Sequence, residues 1–543
     1  MTANSRDSGH QLRRMIHAHW PTAVRKVLVA AVGLAAVCVV ASSSGVAVAG
    51  EPGSPRAAGK VGAPIPWAAC DPPDQGLQCA RIRVPLDWDR PKGRTISLAV
   101  VRHLASKPDQ RIGTAFVNPG GPGDTGLGLL KGDPEGVDAI GGGRFDVVSW
   151  DPRGTNASTR VRCFRSPGSE ERFWAGASIP LTRAASQRAM RRSVALARRC
   201  GKFSGWLLPH ISTADTARDL DHLRALVGEE KLTFIGLSYG NYLGQTYANM
   251  FPNRVRAMLF NGLTDAPRYA KSAQSRVAMW VGAADRVFGR FVALCDSAGP
   301  ERCALAGGGQ TAAERVDRLF ARLRRGPIPA PGVNPPLLSR QELSYTGLLF
   351  SQFQPMRAPS SWSQNAADLA AALRGDGSAL ASGGGFFTAP SGWAAATIST
   401  AIQCADAGTR VGSRGWLKVI NRLARMSRLA GRVQGQWLAP CASWPVRGQD
   451  TYRGPWNAKT PNPILLINQR YDPNGNYQNA VRAERYLGNA VLLTHEGYGH
   501  LAFQNPSTCV DEAIARYLTE LITPPKGTVC QSDQQPFDPD FGG

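Results

Sequence analysis

Apolar positions along the chain follow two rhythms. Residues 80–87 (ARIRVPLD) and 95–102 (TISLAVVR) alternate with a period of two around the turn Arg90-Pro-Lys-Gly93, which predicts an antiparallel hairpin at one edge of a sheet. Short apolar runs at 113–118, 145–150, 231–237, 255–261, 463–469 and 490–494 read as buried strands. Between them, Ala214, Ala217, Leu220, Leu223 and Leu226 recur at helical spacing, and residues 239–248 continue as a second helical pattern. Residues from about 265 to about 458 read as helical segments and Gly/Pro-rich loops with no clear strand, a stretch too long for a connection inside one core. The expectation is an α/β fold with a mostly parallel twisted sheet, helices on both faces and an inserted, mainly helical cap. Its core comes from 67–264 and 459–530, its cap from 265–458, and a tail from 531–543.

The N-terminus departs from this pattern. Arg13, Arg14, Arg25 and Lys26 precede an apolar run over 27–40, and Ala47-Val48-Ala49 supplies a small-residue cleavage pattern, so residues 1–49 read as a secretory signal and 50–66 as a flexible leader. Arg13-Arg14 stands far from the apolar run for a twin-arginine signal, and the residues around Cys38 fit a lipoprotein box poorly. The run is shorter than the ~20 residues of a membrane span, so no stable insertion is expected after cleavage.

Cysteine usage fits export. Of 11 cysteines, removal of Cys38 with the signal leaves Cys70, Cys79, Cys163, Cys200, Cys295, Cys303, Cys404, Cys441, Cys509 and Cys530. An even set in an exported chain implies disulfides, and pairing of neighbours along the chain is the expectation. No C-x-x-C occurs and no cysteine stands at zinc spacing from a histidine, so neither a metal nor an organic cofactor is expected. The net charge of +23 suggests nucleic acid, but the arginines are scattered and not interleaved with stacking aromatics. An arginine-rich solvated surface, attracted to anionic envelope polymers, fits better.

Candidate chemistry starts at Gly236-Leu237-Ser238-Tyr239-Gly240. A serine between two glycines, after a strand and before a helix, is the pattern of a nucleophile elbow. With 59 glycines in the chain the five residues alone are weak; the strand-turn-helix context carries the reading. Upstream, Gly121-Pro-Gly-Asp-Thr-Gly126 has two readings. It fits a dinucleotide fingerprint with Asp151 near the place of a ribose-binding acid. It also fits a loop that turns backbone N–H groups toward a developing oxyanion. The segment 131–143 is too broken by Gly and Pro for the long helix a pyrophosphate needs, which favours the oxyanion loop. In Asp151-Pro-Arg-Gly154, Arg153 reads as a buried tether for nearby carbonyls.

Downstream, Asp472 follows one C-terminal strand and His500 the next, in the order Ser, Asp, His that α/β-hydrolases use. Asp265 is a reserve acid, and His495 lies inside a strand pattern. In this reading Ser238 attacks an acyl carbon, His500 takes its proton and Asp472 orients the imidazole. The N–H groups of Tyr239 and Gly121 meet the oxyanion.

Several stretches together resemble the secreted tripeptidyl aminopeptidase family of actinomycetes with its TAP-like C-terminal region. They are Asn118-Pro-Gly-Gly-Pro-Gly123, the strand and turn at 145–154, the elbow, Ala401-Ile-Gln-Cys-Ala-Asp406, Pro440-Cys-Ala-Ser-Trp-Pro445, Asp472-Pro473, Gly497-Tyr-Gly-His500 and Gly527-Thr-Val-Cys530. The resemblance implies a serine exopeptidase of the proline-iminopeptidase type that takes peptides with a free N-terminus. Such an enzyme needs a counter-charge for the substrate ammonium, and Asp406 is the candidate. Two stretches differ from the family pattern: Asp472-Pro-Asn-Gly-Asn476 stands for D-P-x-T-P, and Thr155-Asn-Ala-Ser158 for G-x-G-x-S. An esterase or amidase with the same triad, and a catalytically silent envelope-binding protein, stay open as alternatives. Oligomeric state is not legible.

Overall fold

The structure is a computed structural model that describes residues 64–541, apart from 72–75, 176, 178, 334–340, 384–389, 408–410 and 438. The expected signal at 1–49 and most of the leader lie outside the described residues. Among the described residues, no helix is long and apolar enough to cross a membrane.

The described residues hold twelve strands: β1 Ala68–Ala69, β2 Gln78–Pro85, β3 Thr95–His103, β4 Gly113–Asn118, β5 Phe145–Asp151, β6 Leu232–Leu237, β7 Val255–Asn261, β8 Ile328–Pro329, β9 Glu342–Leu343, β10 Ile464–Tyr471, β11 Ala490–Tyr498 and β12 Val529–Gln531. Ten of them form one sheet in the order β1-β2-β3-β5-β4-β6-β7-β10-β11-β12. The β1-β2-β3-β5 pairs are antiparallel and the remaining pairs parallel. β4, β5 and β6 are buried along their whole length, because helices cover both faces and leave no room for polar alternation.

Helices α1 Gly126–Gly132 and α2 Pro134–Ile140 fill the segment whose glycines and prolines spoke against one long helix. Next come α3 Pro167–Trp174, α4 Arg183–Ser204, α5 Thr213–Leu226 and α6 Tyr239–Met250. The α5 start is fixed by a reciprocal capping box between Ser212 and Asp215. Between β7 and β10 lie α7 Ala266–Lys271, α8 Ala273–Trp280, α9 Ala283–Ala298, α10 Ala312–Arg325, α11 Tyr345–Phe353, α12 Trp362–Arg374, α13 Ser378–Gly383, α14 Pro390–Ala407, α15 Ser413–Met426 and α16 Gly431–Trp437. α17 Tyr477–Tyr486 and α18 Thr508–Glu520 complete the core.

Three features differ from the sequence expectation. The stretch between β7 and β10 holds a two-stranded ribbon, β8 with β9, whose two-residue strands are too short to show a period. Helix α4, placed with the core by its position in the chain, packs on the cap: Gln436 reaches Ser193 at 3.5 Å, and just before the helix Arg432 donates to the Pro180 carbonyl at 3.2 Å. The tail after β12, for which the sequence suggested no role, is seated on the cap, with Phe537 buried against Phe291 and Trp362.

The ten cysteines among the described residues pair with their neighbours along the chain: Cys70–Cys79, Cys163–Cys200, Cys295–Cys303, Cys404–Cys441 and Cys509–Cys530. Arg153 is the tether its position suggested. Fully buried, it donates to the carbonyls of Pro85, Leu86 and His210 at 2.9–3.0 Å and forks onto Asp219 at 2.6 and 2.7 Å.

Candidate active site

At the C-terminal end of β6 the chain turns sharply, and Ser238 is held at φ 52° and ψ −126°, outside the regions an L-residue prefers. Neighbouring contacts keep it there: its N–H donates to the Asn261 carbonyl at 2.9 Å, and the Asn241 amide donates to the Ser238 carbonyl. The turn is tight enough that a Cβ on Gly236 would stand 2.6 Å from the Gly240 carbonyl oxygen.

The strand ends then bring three distant residues together. His500 Nε2 is 2.9 Å from Ser238 Oγ, and its Nδ1 lies 2.9 and 3.0 Å from the two Asp472 oxygens. Asp472 is buried, and its Oδ1 also accepts from the N–H groups of Asn474 and Gly475 at 2.7 and 2.6 Å. His500 is fixed from the cap side as well, because its N–H donates to the Arg357 carbonyl at 2.8 Å.

Tyr239, the first residue of α6, has a backbone N–H with no acceptor inside its own helix. The glycine loop packs against this start: a Cβ on Gly120 would be 2.9 Å from the Tyr239 nitrogen. Gly120, Gly121 and Gly123 all take φ near +100°, a conformation glycine allows and other residues resist. Gly121, Ser238, Tyr239 and His500 line one small pocket of about 30 Å³. Gly262, Thr264, Tyr269, Trp280 and Phe353 complete its walls with Gln403, Gln434 and Asn474. Sequence reasoning missed Gln403 and Gln434, which come from α14 and α16 of the cap; single glutamines in helical segments give no signal. Gln434 is buried, and its Oε1 has no hydrogen-bond partner among the described residues.

The other candidates fall outside this pocket. Asp265 pairs with Arg482 at 2.5 Å and caps α7 through Arg268 N–H, so the reserve acid is committed elsewhere. His495 is buried within β11, its Nε2 3.1 Å from Ser532 Oγ, and burial lowers its pKa to about 4. Asp151, the acid of the dinucleotide reading, accepts from Thr125 Oγ1 at 2.8 Å and from Ala157 N–H at 2.9 Å, which ties two loops together.

Asp406 requires a correction. Its carboxylate does not line the pocket: Oδ1 accepts from Thr213 N–H at 2.8 Å and Oδ2 from Thr213 Oγ1 at 2.6 Å, at the start of α5. Burial raises its pKa, and the two Thr213 donors oppose that rise. Thr213 Oγ1 also meets the Tyr239 hydroxyl. With its proton given to Asp406, the threonine oxygen is the acceptor for the tyrosine.

Fold and site define a serine hydrolase with the α/β-hydrolase fold. Residues 427–530 match the abhydrolase family described as TAP-like protein. Over 497 residues the chain is 29% identical to the serine protease Hip1 of Mycobacterium tuberculosis, covering 87% of this chain and 92% of that protein. It is 29% identical over 494 residues to the tripeptidyl aminopeptidase of Streptomyces lividans, covering 85% and 84%. Over 504 residues it is 28% identical to carboxylesterase B of Mycobacterium tuberculosis, covering 89% and 94%. The resemblance carried by the sequence motifs thus extends to relatives matched over most of the chain.

Proposed function

We propose that this protein is a secreted serine exopeptidase that hydrolyses peptide bonds near free N-termini through an acyl-enzyme intermediate. The observation that carries the chemistry is the contact chain Ser238–His500–Asp472, in a pocket that Tyr239 and Gly121 also line. His500 Nε2 takes the Ser238 proton as Oγ attacks the carbonyl carbon, and Asp472 holds the imidazole and stabilises its charged form. The tetrahedral oxyanion is met by the amides of Tyr239 and Gly121, each such donor being worth ~3 kcal/mol in the transition state. His500 then protonates the leaving amine, and water releases the acyl group from Ser238 by the reverse sequence. The buried Gln434 Oε1 is an acceptor suited to a substrate N–H. The peptide substrate is taken from the relatives named serine protease and tripeptidyl aminopeptidase. Five disulfides and the N-terminal pattern support export.

A second reading, an esterase or amidase acting on a non-peptide metabolite, is favoured by one observation. Among the described residues lining the catalytic pocket, no carboxylate is present to meet an ammonium. Tripeptidyl amides with free and acetylated N-termini separate the two readings. Exopeptidase action predicts a strong preference for the free amine, and indifference to acetylation removes it.

A further inference from the structure

A second, larger cavity of about 220 Å³ is walled by α4, α11, α14 and α16. Three of those helices also line the catalytic pocket, and on each the two sets of lining residues stand close together. They are Phe350 and Phe353 on α11, Thr400 and Gln403 on α14, and Val433 and Gln434 on α16. The two spaces are therefore neighbours on the same helices. From Gln403 back to Ala396, seven residues of α14 span ~10 Å.

A segment reaching from Ser238 into this cavity would follow α14. α14 crosses above the glycine loop, where a Cβ on Gly123 would be 2.9 Å from Ile398 Cγ2. A group running along α14 therefore departs past the oxyanion amides, and not past His500, which serves the leaving group.

The walls define what fits. Trp174, Ile179, Leu196, Phe350 and Trp437 make them largely apolar. Arg188, exposed, and Arg192, half-buried and donating to the Ala175 carbonyl at 3.3 Å, supply positive charge. Among the described lining residues there is no carboxylate. A substrate ammonium is repelled here, whereas an apolar chain with a neutral or anionic far end is accepted.

We propose that this cavity is the acyl-side subsite, and that it receives an elongated apolar segment of the substrate whose far end is neutral or anionic. The proposal rests on acyl transfer at Ser238. It goes beyond that step: the acyl part of a free-N-terminal substrate carries its ammonium at the far end, so an acyl subsite of this charge favours the esterase or amidase reading over the exopeptidase one.

The test uses the full chain and four p-nitrophenyl esters: acetate, octanoate, the octanedioate half-ester and 8-aminooctanoate. Each buried methylene adds roughly three- to fourfold, so even partial burial predicts kcat/KM for octanoate at least about 10-fold above acetate. The half-ester is expected about 10-fold or more above the amino ester, a gap that shrinks in the Arg188→Gln, Arg192→Gln double variant. Ala396→Trp on α14 and Ala189→Phe on α4 narrow the cavity. In each, the octanoate to acetate ratio should fall toward one, with active enzyme counted by fluorophosphonate labelling. A ratio unchanged in a variant that still labels overturns the subsite, as does an amino ester that matches the half-ester. Acetate turnover without any chain-length preference also removes the subsite but leaves the hydrolase reading intact. Failure of the wild-type chain to turn over any of the esters, or to label, removes both.

Discussion

Asp406 of the cap grips Thr213 of the core with both carboxylate oxygens, at 2.8 Å from its N–H and 2.6 Å from its hydroxyl. Because the same hydroxyl meets the Tyr239 side chain, the cap reaches the residue that follows Ser238 and whose amide is proposed to meet the oxyanion. The arrangement is buried, so its hydrogen bonds reinforce one another and a lost member leaves unpaired groups behind. Thr213→Val is expected to lower kcat by roughly 10-fold, a part of the ~3 kcal/mol that one oxyanion donor supplies, with KM little changed. Thr213→Ser keeps the hydroxyl and should restore most of the rate, while Asp406→Asn, which turns a donor toward the threonine, should behave like valine. Steady-state kinetics of the three variants decide it: an equal rise in KM across them would mean Asp406 acts on substrate binding.

The turn that carries the triad acid makes a sharper prediction. Gly475 donates to Asp472 Oδ1, and a Cβ there would stand 2.7 Å from Asp472 Oδ2 and 2.8 Å from the Gly262 carbonyl carbon. No side chain fits, which accounts for glycine where the family pattern has threonine. Gly475→Ala must push the carboxylate away from His500, and a misplacement of about 1 Å costs on the order of 100-fold in rate. Asp472→Asn, which upsets the imidazole tautomer, should cost about 10⁴ in kcat. Rates measured with a single ester substrate settle both, and an alanine variant of wild-type activity would show that the turn is not rigid.

How much of this was legible in the sequence depended on distance along the chain. The elbow was readable because strand, turn and helix are local, and the disulfides because each joins neighbouring cysteines. Asp472 and His500 could be placed because each follows a strand with a clear apolar run. Asp406 was misread because its partner Thr213 is 193 residues away, and a carboxylate in a helix looks the same whether it faces a substrate or a threonine. The alliance of α4 with the cap and the seat of Phe537 were equally hidden, being contacts between segments that share no sequence pattern. Strand β12, three residues long, is too short to show any alternation.

Arg153 offers a test of stability apart from catalysis. Its guanidinium serves three carbonyls and forks onto the fully buried Asp219, a geometry that a lysine ammonium cannot reproduce. Lysine keeps the charge but loses the fork and part of the carbonyl contacts, and each hydrogen bond to a charged group is worth about 1.5–3 kcal/mol. Arg153→Lys should therefore shift the urea unfolding midpoint well downward, while any folded fraction keeps the wild-type KM. A midpoint equal to wild type would show that water or another group compensates the loss.

His495 makes stability depend on pH in one direction. Its imidazole ordinarily titrates near 6.5, and in the fold desolvation lowers this to about 4, opposed weakly by Asp533. Below pH 6.5 the unfolded chain takes up a proton that the folded chain refuses until about pH 4, so acid favours the unfolded state across that window. The difference of about 2.5 pH units corresponds to at most ~3 kcal/mol, fully present as stability above pH 6.5 and lost as the pH falls toward 4. His495→Gln removes the titrating group while keeping a polar side chain beside Ser532. Its urea unfolding free energy should lose less than that of wild type between pH 7 and pH 4.5. If the two proteins lose the same amount, the imidazole takes up its proton inside the fold, and the acid sensitivity lies with other groups.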